Sequence, residues 1–178
     1  MKLNIIRTIL IILLLGTFYI IFGFSSQNST QSAGISRKIT NIITANVKSI
    51  QEKDDKTKEE ILYKIEHIIR KIAHFSIYTV VGLLLMLLCK TYDIKEFDRF
   101  SISLIIGIIY ASSDEIHQAL VPGRGPMLTD VLIDTSGVVV GIILVICIFK
   151  MYKIITNNSK ITAINRKYGT PYICYYYI

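Results

Sequence analysis

Ionisable and hydrogen-bonding side chains gather in three short strings within a largely apolar chain. The first runs His67, Arg70, Lys71, His74 and Tyr78; the second Asp114, Glu115, His117 and Gln118; the third Arg124, Asp130 and Asp134. Positions three and four apart are neighbours on a helix. The first string therefore forms one cationic face, opposite a stripe of Ile61, Ile65, Ile68 and Ile72. In the second, Gly107, Ala111, Asp114 and Gln118 share a face, with His117 about a sixth of a turn from Asp114. In the third, Asp130, Asp134, Gly137 and Gly141 align.

Such sets can do two kinds of chemistry. Arg70, Lys71 and Arg124 can hold an anion, with His74, Asp114, Glu115, His117, Gln118, Asp130 and Asp134 shaping the ligand site around it. Alternatively Asp114 or His117 serves as a catalytic general base while Arg124 stabilises charge on a phosphoryl group. No His-Glu-x-x-His spacing occurs, and of the histidines only His74 and His117 are placed to meet. No metal and no cofactor is expected on that ground. The plainer reading of Glu115, Tyr78 and Gln118 is that they clamp helices together, and that of Arg124 is a phospholipid headgroup anchor.

The elements that position these residues are membrane helices. The chain has 178 residues, 52% of them hydrophobic, and a mean hydropathy of +0.50, too apolar for a soluble domain of this length. Its charge of +7, from 20 Lys and Arg against 13 Asp and Glu, fits loops facing the cytoplasm better than a nucleic-acid surface. Cys89, Cys147 and Cys174 show no paired spacing and imply neither a disulfide frame nor a metal knuckle.

A hydrocarbon core of about 30 Å needs roughly 20 apolar residues. Thr8 to Phe24 is free of charge behind Lys2 and Arg7, which suits a signal anchor or a cleaved signal peptide; the bulk of Phe18, Tyr19, Phe22 and Phe24 favours the anchor. Ile72 to Cys89 is a second span, Phe100 to Ser113 a short third, and Val131 to Phe149 a fourth that is apolar except for Asp134. A Pro-Gly-Arg-Gly-Pro turn separates the last two. Between the first two spans, Ile35, Ile39, Ile42, Ile43, Val47 and Ile50 recur at helical spacing and predict an amphipathic helix over 36–50 on the membrane surface, followed by a solvated linker.

The reading is an all-α polytopic membrane protein of about four transmembrane helices. Residues 1–153 form the membrane domain, with 25–71 a polar, partly helical loop region, and 154–178 form a tail ending in Tyr175, Tyr176, Tyr177 and Ile178 to which no function attaches. The loop from Lys90 to Arg99 carries three basic residues against Arg124 alone in the next loop, which places both termini in the cytoplasm. The three polar strings then share one extracytoplasmic mouth. Each unpaired ion at the bilayer centre costs about 2.5 to 3.5 kcal/mol on insertion scales, so Asp114, Glu115 and Asp134 must pair or meet water. The Gly137 and Gly141 seam admits another backbone, for which Gly107 with Ala111 is the expected partner.

The string Arg70-Lys71-Ile72-Ala73-His74-Phe75 with Tyr78 and Gly82, then Asp114 to Gln118, Val121-Pro122-Gly123-Arg124, Asp130-Val131, Asp134 and Gly137, resembles the VanZ-like family. The likeness covers roughly Ile5 to Lys153 and is densest from Arg70 to Gly141. It departs at Asp134, where many relatives carry Asn, which leaves open whether that position needs charge or only a hydrogen bond. The family takes its name from a small membrane protein that raises bacterial resistance to teicoplanin, so the resemblance implies an envelope role in the bacterial cytoplasmic membrane. The leading expectation is a non-enzymatic protein that alters glycopeptide susceptibility by binding an anionic or amphipathic ligand: a lipid, a lipid-linked envelope precursor or the glycopeptide itself. The alternatives are an enzyme acting on a phosphate- or peptide-linked lipid headgroup, and a structural subunit that recruits a partner through the 36–50 helix.

Overall fold

A computed structural model describes residues 2–27, 29–47, 50, 53–122, 125 and 127–168; Arg124 and the residues from Gly169 to Ile178 lie outside them. The described elements are helices: α1 (Lys2–Ser25), α2 (Ser29–Thr44), α3 (Asp55–Lys90), α4 (Glu96–Ala119) and α5 (Leu128–Tyr168). The chain is an all-α membrane protein. Among the described residues three helices are long and apolar enough to cross a bilayer, Lys2–Ser25, Asp55–Lys90 and Leu128–Asn157. The expected third span, α4, has 24 residues and is long enough, but acids in its first turn and the Asp114 to Gln118 string in its last two turns leave it more polar than the other three.

The chain divides into a unit of residues 1–142 and a unit of residues 143–178, the second holding the remainder of α5. Within the first, α1 packs on α3 and α4, α3 packs on α4, and α2 packs on α3. Asp54 caps α3 by accepting the Thr57 backbone N–H at 3.0 Å. From there α3 runs 36 residues, about 54 Å at helical rise against a core of about 30 Å. Its first turns therefore project beyond the hydrocarbon, as expected for a helix that begins before its apolar span. Arg37 of α2 clasps this projection through Glu66 at 2.8 Å and Glu59 at 3.0 Å. The Glu66 carboxylate beside it raises the Arg37 pKa above its ordinary value.

Two features differ from expectation. The helix of the polar region starts earlier and ends at Thr44; Ile42 and Ile43 point outward, Ile42 at 76% exposed, whereas Ser36, Thr40 and Thr44 are buried. In a bilayer this is the favoured arrangement, because lipid solvates the isoleucines while hydroxyls need protein around them.

The glycine seam also has a different partner. A Cβ on Gly137 would lie 2.5 Å from the Phe75 carbonyl oxygen, and one on Gly141 would meet the Thr79 carbonyl. Reciprocally, one on Gly82 would meet the Val138 carbonyl. Backbone approach this close needs a residue without a side chain on both helices. α3 supplies it with Gly82, while Gly107 of α4 makes room for the Val138 side chain. Tyr78, Val81, Met86, Ala111, Val138 and Ile142 are fully buried around this contact.

The bundle has two distinguishable ends. At one, Arg7 donates to the Thr91 carbonyl at 2.6 Å and to its hydroxyl at 3.1 Å, and its guanidinium lies over the Tyr92 ring at 4.1 Å. At the other, Gln118 donates to Ser25 at 3.4 Å. The start of α1 and the α3–α4 loop thus share one end, and the last turns of α1 and α4 share the opposite one.

Candidate functional site

The polar strings meet at the end marked by Ser25 and Gln118, where they separate into two sites that touch at His74. The first lies between α3, α4 and α5. One ligand atom each from His74, Asp114 and Asp134 lie within 4.8 Å of one another. Asp114 and Asp134 are buried and His74 half-buried. His74 Nδ1 stands 3.6 Å from Asp134 Oδ1, too long for a hydrogen bond. Gln118, one turn on, donates to Asp114 Oδ2 at 2.9 Å and orients it. Tyr78 is fully buried, its hydroxyl makes no hydrogen bond of ordinary length among the described residues, and the acids close enough to act on it are Asp114 and Asp134.

Close packing of three helices forces this convergence. Gly82, Gly137 and Gly141 bring the backbones of α3 and α5 together, so Tyr78, one turn above Gly82, and His74, two turns above it, lie beside Asp134, one turn above Gly137. The rim is closed by one salt link and one backbone hydrogen bond. Lys71 Nζ pairs with Asp130 Oδ1 at 3.0 Å, and Glu115 Oε1 accepts the Met127 backbone N–H at 2.6 Å, tying the turn before α5 to α4. Glu115 Oε2 is buried without a partner among the described residues.

The second site is a cavity of about 230 Å³ between α1, α2 and α3. Ile21, Phe24, Ile39, Ile69, Ala73 and Ile77 give it apolar walls, and Gln27, Ser36, Arg70 and His74 supply its polar groups. Arg70 lines this cavity with its Nε buried and unpaired among the described residues. A guanidinium at the mouth of an apolar pocket suits an amphipathic anion.

A comparison with family models gives a match to the one described as VanZ/LLP1 over residues 10–150. The chain belongs to the VanZ/LLP1 family. No curated protein and no solved structure matches it. The matched span of this VanZ/LLP1 chain takes in both sites.

Placement of the remaining sequence-predicted residues is uneven. His117 turns toward α1, stacking on Phe22 at 4.4 Å and lying 3.1 Å from Ser26 Oγ through Nε2. Ser26 already donates its proton to the Phe22 carbonyl at 2.7 Å, so His117 Nε2–H is the donor in that pair. The geometry is that of a tie between α1 and α4, not of a base activating a nucleophile. Lys71 is committed to Asp130, which leaves Arg70 as the basic side chain of α3 that opens onto the cavity. Arg124 lies outside the described residues. Sequence reasoning missed the contribution of α1 and α2: Ile21, Phe24, Gln27, Ser36 and Ile39 line the cavity. The available signal was the small and polar residues Gly23, Ser25, Ser26 and Gln27 around Phe24 at the end of the first span, of which Gly23 and Ser25 suggest a cleavage site when taken alone.

Proposed function

We propose that this VanZ/LLP1 protein is a non-enzymatic component of the bacterial cytoplasmic membrane. It binds an anionic, lipid-linked envelope ligand and thereby alters susceptibility to glycopeptide antibiotics. The observation that carries this reading is Arg70 with a buried nitrogen, unpaired among the described residues, at a mostly apolar cavity. About 230 Å³ is the volume of some seven or eight waters at roughly 30 Å³ each, enough to seat the first part of a lipid chain beside its headgroup. The rest of the chain extends into the bilayer. α4 serves as a fourth crossing, screened by α1 and α3. The end bearing Arg7, Lys90 and Arg99 faces the cytoplasm under the positive-inside rule, so the cavity and the His74 cluster face outward.

The test is teicoplanin susceptibility in cells expressing wild type, Arg70→Ala and Lys71→Ala at matched protein levels. Arg70→Ala is expected to abolish the shift in susceptibility produced by the wild type, while Lys71→Ala keeps most of it. Equal activity of the wild type and Arg70→Ala would remove the reading.

A further inference from the structure

The His74, Asp114 and Asp134 cluster is not needed to hold an anion, since it brings two buried carboxylates together. It has the makings of a cation site. We propose that these three side chains, with the Tyr78 hydroxyl beside them, bind one divalent transition-metal ion such as Zn²⁺ or Mn²⁺.

Geometry carries the assignment. Two ligands each about 2.1 Å from a tetrahedral ion lie roughly 3.4 Å apart. The 3.6 Å between His74 Nδ1 and Asp134 Oδ1 is close to that edge and too long for a hydrogen bond. The full set spans at most 4.8 Å, so bringing all three ligands onto one ion requires only a shift of several tenths of an ångström. Asp114 is oriented through one oxygen by Gln118, the kind of outer hydrogen bond that fixes a metal ligand and leaves its other oxygen for the ion.

The second observation is independent of the acids. Tyr78 is fully buried, its hydroxyl makes no hydrogen bond of ordinary length among the described residues, and Asp114 and Asp134 are the carboxylates close enough to act on it. It can complete the ion's shell directly or hold a water bound to it. One imidazole, two carboxylates and a phenol form an N/O set without thiolate, which favours Zn²⁺, Mn²⁺ or Fe²⁺ over softer ions. Neutral imidazole and two carboxylates balance a charge of two, so the occupied site adds no net charge to the membrane interior. His74 also lines the Arg70 cavity, which places an ion bound here beside any headgroup held there.

The test uses the full chain purified in detergent micelles. It is dialysed against chelator, exposed to a small excess of Zn²⁺ or Mn²⁺, passed through a desalting column and analysed for metal by mass spectrometry. Wild type and His67→Ala are expected to retain about one ion per chain, and Asp134→Asn and His74→Ala less than about a tenth of that. Wild type loaded with Co²⁺ should show visible bands of nitrogen and oxygen coordination. No retention by wild type, equal retention by Asp134→Asn, or a thiolate charge-transfer band in the Co²⁺ protein would each overturn the assignment. The Co²⁺ spectrum decides the matter even where a variant fails to fold. Loss of lipid binding or of the teicoplanin phenotype has no bearing on metal retention, so failure of the functional proposal and failure of this one are read separately.

Discussion

Two adjacent basic residues of α3 show how position decides what a charge can do. Lys71 is half-buried and spent on Asp130 at 3.0 Å, while Arg70, one residue earlier, lines the cavity with a nitrogen unpaired among the described residues. A partly exposed ion pair contributes about 1 kcal/mol or less, so Lys71→Met is expected to lower thermal stability in detergent only slightly. Arg70→Gln should leave stability unchanged and weaken binding of an anionic polyisoprenyl phosphate by about tenfold or more, or ~1.4 kcal/mol per decade. Scanning calorimetry and native mass spectrometry of the two variants separate these effects. The candidate site was legible in sequence where residue type and helical phase coincide: His74, Asp114 and Asp134 do meet. It was not legible for His117. A rotation of a sixth of a turn carries that ring from the cluster to α1, and which way a histidine near a helix boundary turns depends on what stands there, here Phe22 and Ser26.

At the scale of elements, the α3–α5 contact rests on glycines, and substitution there should be severe. Gly82→Leu or Gly141→Leu would drive a side chain into a carbonyl of the facing helix and is expected to cost more than about 3 kcal/mol, seen as loss of a monodisperse peak in detergent. Gly16→Ala is the control: nothing lies within 4 Å of an added Cβ, so it should be neutral. The α3 cap gives a subtler expectation. Thr57 donates to Asp54 and holds its carboxyl below the ordinary carboxylate range, so the cap's contribution is complete above the unfolded pKa and is lost as pH falls through the lower folded value. At neutral pH, Asp54→Ala should speed hydrogen exchange in the first turn of α3, and Asp54→Asn, which still accepts, should not. The spans of α1 and α3 were plain in the sequence because uninterrupted apolar length is a strong signal, and those of α4 and α5 were less clean because acidic residues stand in them. The orientation of α2 was not, since a spacing of isoleucines reports which face is apolar but not whether protein or lipid lies against it.

For the whole molecule, the fold sets two ends apart and gathers both sites at one of them. Arg7 bonded to Thr91 marks one end, and Gln118 reaching Ser25 marks the other. Cysteines introduced at Tyr92 and at Gln27 should therefore react with a membrane-impermeant thiol reagent from opposite sides of intact cells, Gln27→Cys from outside. This separation was partly legible, because the placement of Lys and Arg reports sides, but the sequence could not show that α1 and α2 build half of the cavity, since nothing local in them names their partner. The most direct measurement of the central claim is native mass spectrometry of the detergent-purified protein. An anionic polyisoprenyl phosphate would be offered to wild type, to Arg70→Ala and to Ile77→Trp, which fills the cavity without touching its charge. Wild type is expected to retain one lipid and either variant little, with a zwitterionic phospholipid failing to compete. Equal lipid retention by all three proteins would contradict that claim.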